Sequence, residues 1–497
     1  MARNPQKPQK RHTGLKVFLI LLMLLFIAGS AFMIKLCLEL VDAPVLRQPG
    51  QSESLELPTA APTEAETIPE TTLPIPEHVV STATIVSTGD LLMHMPVIDT
   101  CWKNGGYDFE SIFRYLGDYV AGADLAVANL ETTLAGTDNG YGYSGYPNFN
   151  CPDALIDGAK DAGFDLLLNV NNHSYDTSSV GMHRTMRILT EKGMDYLGIV
   201  DTEEAKRYQV KDINGIKIGM IAYTYETDTN PERVALNGLP VRAEDAPLVN
   251  AFDETRLDDF YTELAGHLES MKADGADATV LYIHWGVEYH LTENQKQNEI
   301  AQKLCDLGID VIIGGHPHVV QPIELLESTV DPDHKTVCLY SMGNAVSNQR
   351  LGNLSAINTA HTEDGVLFSV TFSKYSDGTV YLESTDLIPL WVMRRSDATG
   401  NEYNMLPLDI EREEEWKDLF QMQDYHVNSA KNSYDRTMAI VGTGLADCQA
   451  YLEQCYNDRE AYYYDLAFFP EKYATEATEA PTEAETEATE APTEATE

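Results

Sequence analysis

Between residues 81 and 395, short apolar segments alternate with segments of helical periodicity, and this alternation limits the chain to few folds. The apolar segments are rich in Val, Ile and Leu and have the length of buried strands. They span residues 83–88, 125–129, 166–170, 216–223, 279–283, 311–313 and 337–340. Strands that alternate with helices predict an α/β fold with at least one mixed sheet.

Residue types that bind metals stand at or just past the ends of several of these segments. They are Asp90, Glu131, Asn172, His173, His284, His316 and His318. Turn or capping chemistry explains any one of them, but turns show no preference for histidine. Because ligands bind at the carboxyl ends of strands in open α/β sheets, we expect separate strands to deliver these groups to one cleft.

The segment GGHPHVVQ, residues 314–321, carries two of these histidines around a proline. Pro317 has a fixed φ and no N–H, so it stiffens the bend between His316 and His318. Imidazole, carboxylate and amide groups suit Mn, Fe, Zn or Mg better than metals that prefer thiolates, and Mn, Fe or Zn are the ions we expect. The sequence therefore predicts a site for one or two divalent ions, whose identity stays open.

The chain is strongly acidic, with 78 Asp and Glu against 34 Lys and Arg and a formal net charge of -44. Such a charge repels polyanions wherever cations or a metal do not neutralise it locally, so we expect no nucleic-acid partner. Any anionic ligand needs a local basic patch or a metal. The alternative to such a patch is that the basic residues are ordinary solvated surface. The candidates for the patch are Arg184, Arg187, Lys206, Arg207, Arg233 and Arg242.

A basic segment over residues 1–16 precedes an apolar stretch over 17–36, which predicts a single transmembrane signal anchor. A cleaved signal peptide is the alternative, because residues 28–31 are small enough for processing. With the basic segment in the cytoplasm, the rest of the chain lies outside it. We therefore expect a single-pass protein of the cell membrane with an extracytoplasmic C-terminal domain.

Composition divides the remainder of the chain. Thr, Glu, Ala and Pro dominate residues 37–80 and 474–497, and this composition cannot bury enough apolar surface to fold, which predicts a disordered linker and a disordered tail. Between them lie the α/β domain over 81–395 and a C-terminal extension over 396–473. The spacing of apolar residues predicts that this extension is mostly helical.

Six motifs in this order resemble the CapA family of capsule and poly-gamma-glutamate synthesis proteins, itself similar to the calcineurin-like metallophosphoesterases. The resemblance covers roughly residues 83–348 and implies a four-layer α/β/β/α sandwich, preceded here by the N-terminal transmembrane helix. The motifs are STGDLLMH, ANLETTL, AGFDLLLNVNNHSYD, YIHWGVEY, GIDVIIGGHPHVVQ and YSMGNAVS.

The resemblance also implies roles for single residues. His173 matches the catalytic histidine of the phosphoesterase pattern, and Asp176 is placed to orient it. Glu131 stands roughly where the superfamily has its bridging aspartate. The implied metal ligands are Asp90, Glu131, Asn172, His284, His316 and His318.

Two departures from the phosphoesterase pattern affect the metal site. The first motif of that superfamily is Asp-x-His, but Leu92 follows Asp90 at that spacing and the histidine comes later, as His94. The second motif is Gly-Asp-x-x-Asp, where this chain has Asn-Leu-Glu, ending at Glu131. A mononuclear site and a weakened dinuclear site therefore both stay open.

The resemblance implies a membrane-anchored component of capsule or poly-gamma-glutamate synthesis, export or attachment. Its expected partners are an anionic polymer or other cell-envelope component and further capsule-synthesis membrane proteins. Glu288, Tyr289 and Asn344 are the residues we expect to line the cleft and contact substrate. The alternatives are a metal-dependent phosphoesterase or amidase unrelated to capsule, and a cell-surface binding module without catalysis.

Overall fold

The computed structural model describes residues 75–138, 140–228, 233–354, 357–397 and 400–473. The predicted anchor over 17–36, the linker over 37–80 as far as residue 74, and the tail over 474–497 lie outside these residues. Among the helices that the structure describes, none is both long enough and apolar enough to cross a bilayer.

Each apolar segment predicted from the sequence corresponds to a strand, and further strands lie between them. In chain order they are β1 Val79–Leu91, β2 Trp102–Lys103, β3 Gly106–Tyr107, β4 Leu125–Asn129, β5 Leu166–Leu168, β6 Asp195–Leu197, β7 Tyr208–Ile213, β8 Ile216–Tyr225, β9 Ala235–Leu236, β10 Leu239–Pro240, β11 Ala251–Phe252, β12 Ala278–His284, β13 Val311–Gly315, β14 Ile323–Glu327, β15 Lys335–Leu339, β16 Asn344–Val346, β17 Asp364–Tyr375, β18 Val380–Asp397 and β19 Gly400–Pro407.

Two of the helices have ends with recognisable capping. Asn294 and Gln297 form a reciprocal capping box at the start of one helix, and Gly193 ends another with a φ of 63°. The helices are α1 Met95–Thr100, α2 Glu110–Phe113, α3 Gly117–Val120, α4 Ala154–Asp161, α5 Ser178–Lys192, α6 Leu257–Ala273, α7 Gln295–Asp306, α8 Trp416–Leu419 and α9 Asp424–Phe468.

Most strands belong to two mixed sheets. The first sheet has the order β19-β18-β17-β1-β4-β5-β6, with β16 also paired to β1, and the second has the order β11-β8-β12-β13-β15-β14, with β7 paired to β8. Strands β1, β4, β5 and β6 run parallel in the first sheet, as do β8, β12, β13 and β15 in the second. The predicted α/β fold with a mixed sheet is confirmed.

Successive side chains of each strand point to opposite faces, so each sheet has two apolar faces to bury. Ile85 and Val127 of the first sheet share one buried core with Ile218 and Val280 of the second. The other face of the first sheet packs against α1, α2, α4 and α5, and the other face of the second packs against α6 and α7. Both sheets are therefore covered on both faces, which explains their continuous apolar runs.

The extension over 396–473, which we predicted to be mostly helical, begins with a strand. The first residues extend a long hairpin in which β19 pairs with β18 along the edge of the first sheet. Tyr403 and Met405 are buried in one core and Leu406 in another, so both faces of β19 are covered and no strand alternation shows in the sequence. The rest of the extension is helical, and α9 packs on β18 and on β14 of the second sheet.

Candidate metal centre

The carboxyl ends of the parallel strands of both sheets meet in one place. Asp90 lies at the end of β1, and Glu131 follows β4. The loop after β5 brings Asn172 and His173, while His284 is the last residue of β12. The loop after β13 supplies both histidines of the HPH segment. All six predicted ligands and His173 are buried.

Two groups of ligand atoms form around one carboxylate. Glu131 belongs to the first group with His284 and His316, and to the second with Asp90 and His318, with the ligand atoms of each group within 4.8 Å of one another. Glu131 Oε1 lies 3.5 Å from His284 Nε2 and 3.9 Å from His318 Nε2. The geometry therefore offers two adjacent sites that share one side chain.

Glu131 is the least satisfied of these groups. Neither of its carboxylate oxygens has a hydrogen-bond partner among the residues that the structure describes. Burial raises its pKa well above the usual range, and the charges of Asp90 and Glu288 raise it further. An unpaired carboxylate is costly to bury, and a divalent cation would remove that cost. The donor set thus fits a metal ion.

The neighbouring imidazoles are held in the neutral form that metals bind. Burial lowers the pKa of His284 to about 3 and that of His316 well below its usual value. Nδ1 of His316 has no partner within the described part of the chain. The Oδ1 of Asn172 lies 2.8 Å from Nε2 of His284, which places a further oxygen beside the first group.

Asp90 is stabilised as a carboxylate. Burial alone would raise its pKa, but the hydrogen bond and charge of His318, the charge of His284 and the amide of Asn129 together lower it. Asn129 Nδ2 donates to its Oδ1 at 2.8 Å, and His318 Nδ1 lies 3.1 Å from its Oδ2. Asp90 can therefore carry a negative charge in a site from which water is largely excluded.

The HPH segment has an unusual backbone. His316 has a φ of 98° and His318 a φ of 57°, so both histidines flanking Pro317 lie in the left-handed region. Backbone strain of this kind persists where the surroundings hold it in place and is concentrated at functional sites. Here the carbonyl of Pro317 accepts a 2.8 Å hydrogen bond from the N–H of Tyr289. The bend brings the two imidazoles to a ring-centre separation of 6.0 Å.

His173 faces the same cluster without belonging to either ligand group. Its Nδ1 lies 2.8 Å from Oδ2 of Asp176, and its Nε2 lies 4.0 Å from Oε1 of Glu131. The backbone N–H of Phe149 also donates to Asp176 Oδ2 at 2.6 Å, and the Phe149 ring packs edge-on against His173. This pair is built to orient one ring nitrogen toward the cluster.

A family model described as "Bacterial capsule synthesis protein PGA_cap" matches residues 84–349, more than half of the 497-residue chain. The chain belongs to this family. Every residue of the cluster lies within the matched region, called the PGA_cap region below. The expected membership of the CapA family is confirmed by this match together with the relatives that follow.

Two curated relatives carry the CapA name. The chain is 23% identical over 316 residues to "Capsule biosynthesis protein CapA" of Bacillus anthracis, which covers 63% of this chain and 68% of that protein. It is 27% identical over 265 residues to "PGA biosynthesis protein CapA" of Bacillus subtilis, which covers 52% of this chain and 62% of that protein.

Solved structures show distant similarity. A sulfate thiohydrolase SoxB of Thermus thermophilus in complex with glycerol matches with a TM-score of 0.32 and 14% identity, over 72% of this chain and 60% of that one. The protein TT1561 of Thermus thermophilus matches with a TM-score of 0.31 and 10% identity, over 58% of this chain and 94% of that one.

His94 of the PGA_cap region stays outside the ligand groups. Its Nδ1 lies 3.3 Å from the carbonyl of Leu92 and 3.4 Å from the backbone nitrogen of Asn348. Burial lowers its pKa to about 4, and its ring packs edge-on against Phe149. His94 therefore lies outside the ligand groups that the described residues form.

The three residues expected to contact substrate differ in position. The Tyr289 ring lies 6.1 Å from that of His318, and its hydroxyl accepts from Nε2 of Gln349 at 3.1 Å. Glu288 is partly exposed beside it. Asn344 is fully buried, and its amide donates to the carbonyl of His318 at 3.2 Å. Asn344 thus supports the HPH loop through its amide, and its contact with substrate stays a prediction.

Two residues near the site escaped the sequence analysis. Tyr225, at the end of β8, packs with its ring centre 4.8 Å from that of His316. Asn237, in the turn between β9 and β10, donates from Nδ2 to Oδ1 of Asp176 at 2.8 Å. The Asn-Gly pair of this turn was a visible hairpin signal, but its contact with Asp176 depends on tertiary structure.

The candidate basic residues of the PGA_cap region do not form a patch. Arg207 donates to the side-chain oxygen of Asn250. The others pair with separate carboxylates, and these pairs are Arg184 with Asp153, Arg187 with Glu191, Lys206 with Asp274, Arg233 with Asp228 and Arg242 with Glu244. Their charge is largely neutralised locally, so they offer an anionic ligand little attraction.

Proposed function

We propose that this chain is a membrane-anchored, extracytoplasmic protein of capsule or poly-gamma-glutamate synthesis, export or attachment, and that it carries a metal-dependent hydrolytic site. Membership of the capsule synthesis family supports the first part, as do the names of the two Bacillus relatives. The basic and apolar N-terminal segments support the anchor.

The unpaired carboxylate of Glu131 is the observation on which the metal proposal rests. A buried carboxylate between imidazoles, with no hydrogen-bond donor in the described chain, is the environment that a divalent cation satisfies. We assign Mn, Fe or Zn as the ion. One ion would be held by Asp90, Glu131 and His318, and a second by Glu131, His284 and His316 with Asn172 beside them.

A divalent ion held by these residues would supply an activated water and polarise the electrophile. Side chains of the protein would carry out the proton transfer. Asp176 holds Nδ1 of His173, so the Nε2 that faces the cluster is free to carry a proton to the leaving group. The proposed architecture is the four-layer metallophosphoesterase sandwich, whose two sheets each contribute ligands.

The proposed substrate is a phosphoester or a gamma-glutamyl amide of an anionic polymer. The chain as a whole repels polyanions, and its candidate cations are paired. The metal would therefore supply the local positive charge that draws an anionic chain into the cleft. Glu288 and Tyr289, which are partly exposed, would contact the part of the substrate next to the reacting bond.

Elemental analysis of the purified full-length chain tests the metal site. We expect one or two equivalents of Mn, Fe or Zn, lost when both His316 and His318 are replaced by alanine. The matched control is His334→Ala, because His334 lies before β15, at the opposite end of the sheet. Equal metal content in all three chains would refute the proposal. Turnover is then screened with bis(p-nitrophenyl) phosphate and gamma-glutamyl p-nitroanilide.

A second candidate function is polymer binding without catalysis. The position of His94, outside both ligand groups, favours it, because the site lacks one ligand that the phosphoesterase pattern provides. Metal content with no turnover of either substrate, together with binding of purified poly-gamma-glutamate, would support this candidate over the hydrolase.

A further inference from the structure

The hairpin of β9 and β10 places its turn against the His173–Asp176 pair. The turn residues Asn237 and Gly238 have φ values of 49° and 70°, the two-residue turn that an Asn-Gly pair favours. Leu236 and Ala235 are buried, so the strand before the turn is anchored in the protein core. The N–H of Gly238 also donates to Oγ1 of Thr227 at 2.7 Å. The turn is thereby fixed relative to the site.

The side chain of Asn237 uses both of its N–H groups. Nδ2 donates to Oδ1 of Asp176 at 2.8 Å and to the carbonyl of Pro147 at 2.9 Å. Nδ2 also lies 3.3 Å from Nδ1 of His173. An amide nitrogen has two protons, so the carboxylate and the carbonyl account for them.

Asp176 thus receives donors from three different parts of the chain. His173 and the N–H of Phe149 approach Oδ2, while Asn237 donates to Oδ1. With both oxygens bound, the carboxylate cannot rotate without breaking a hydrogen bond. Without Asn237, Oδ1 of Asp176 would lose this donor. The plane of the Asp176 carboxylate, which orients the ring of His173, would then no longer be fixed at both oxygens.

We propose that Asn237 is a positioning residue, which fixes the Asp176 carboxylate and through it the ring of His173. Its importance for catalysis rests on the proposed hydrolytic function. Its effect on the His173–Asp176 hydrogen bond does not depend on that function and is measured separately below.

The chain contains a matched control for this residue. Asn214 and Gly215 form the turn between β7 and β8 with φ values of 55° and 83°. The Nδ2 of Asn214 likewise donates to a carbonyl, that of Thr82 at 3.0 Å, and to a carboxylate, Oδ1 of Asp124 at 2.8 Å. Asn214→Gly therefore removes the same chemistry from the same turn type away from the cluster.

The hydrogen bond between Nδ1 of His173 and Asp176 is measured by NMR on the full-length chain, labelled with ¹⁵N-histidine and loaded with Zn²⁺. We expect a slowly exchanging Nδ1–H signal that is absent in His173→Gln. It should persist in Asn214→Gly and broaden or disappear in Asn237→Gly, with solvent exchange at least about 10-fold faster. Asn237→Asp keeps a residue that suits the turn but replaces the amide donor by an acceptor, so it should lose the signal too. This second variant shows that the effect does not come from misfolding of the glycine variant.

An unchanged signal in Asn237→Gly or Asn237→Asp overturns the proposal, and so does a wild-type chain that lacks the signal. Where the wild type turns over a substrate, Asn237→Gly should lower kcat about 10- to 100-fold with KM and metal content unchanged. A wild type with metal but no turnover refutes the hydrolytic function, and the NMR comparison still decides the role of Asn237.

Discussion

Nδ1 of His318 lies 3.1 Å from Oδ2 of Asp90, although 228 positions separate the two residues in the sequence. Asp90 is the next-to-last residue of a strand of the first sheet, and His318 follows a strand of the second. Their contact therefore joins the two sheets at the site. The cluster exists only when both sheets are folded and face each other, so its metal content reports on the whole domain.

The number of ions lost should depend on which ligand is replaced. His316 belongs to one ligand group and His318 to the other, whereas Glu131 belongs to both. We expect His316→Ala and His318→Ala each to lower a stoichiometry of two to one, and Glu131→Gln to lower it toward zero. Elemental analysis of the full-length chain measures this. Loss of both ions in either histidine variant would contradict the assignment of separate groups.

His173 should matter for turnover and not for metal binding. It lies outside both ligand groups, and its Nδ1 is held by Asp176. We expect His173→Gln to lower kcat by about 10²- to 10⁴-fold, the usual contribution of a general acid, with metal content unchanged. His183→Gln, which removes an imidazole paired to Asp245, serves as control. A loss of metal in His173→Gln would make it a ligand instead.

Glu131 should destabilise the metal-free protein as pH rises. Its pKa in the folded protein is raised well above the usual value, whereas in the unfolded chain it is about 4.3. The favourable contribution of Glu131 to the free energy of unfolding is therefore complete below about pH 4.3 and is lost as the pH rises toward the folded-state pKa. We expect metal-free Glu131→Gln to be more stable than wild type at pH 7.5 by about 1 to 3 kcal/mol, with a smaller difference at pH 5.

Urea unfolding with a chelator measures this difference at both pH values. His284 and His316 act in the opposite direction, because their lowered pKa values make stability increase with pH up to about 6.5, but they are present in both chains. Added Zn²⁺ should reverse the order, since only the wild type keeps the shared ligand. A wild type that is the more stable chain without metal would show that Glu131 is already satisfied.

Much of the site could be predicted because its residues follow strands. A strand is visible as an apolar run, and the parallel arrangement brings the following residues, such as His284 and His316, to one edge. Asn237 could not be predicted in the same way, since it lies 61 residues from Asp176 and meets it only through tertiary packing. The burial of Asn344 behind the HPH loop is likewise a property of the folded loop.

The fold shows the same division. Each of the seven predicted strand segments corresponds to a strand of one of the two sheets. The strand β19 lies in the extension that was predicted to be mostly helical, because burial of both its faces hides the alternation that indicates a strand. Residues 110–120 form two short helices, α2 and α3, separated by a turn at residues 114–116. Pattern alone does not reveal which face of a segment a later element covers.

Helix α9 should be an integral part of the α/β domain, and two glycines on it provide the test. A Cβ added at Gly444 would lie 1.7 Å from the carbonyl oxygen of Ile323, the first residue of β14, so the helix would have to move away from the strand. A Cβ at Gly442 would meet only Met438 Cε, at 3.5 Å. We expect Gly444→Ala to lower the free energy of unfolding by about 1 to 3 kcal/mol.

Gly442→Ala should instead leave that free energy unchanged or raise it by up to about 1 kcal/mol, because alanine favours helix over glycine. Urea denaturation of the two full-length variants compares them under one condition. If both substitutions stabilised the protein equally, α9 would not pack closely on β14. The C-terminal helix would then not be an integral part of the α/β domain. If only Gly444→Ala lowered the free energy of unfolding, the contact between α9 and β14 would stabilise the domain. Because α9 also packs on β18 of the first sheet, the helix would then help to hold together the two sheets that supply the metal centre.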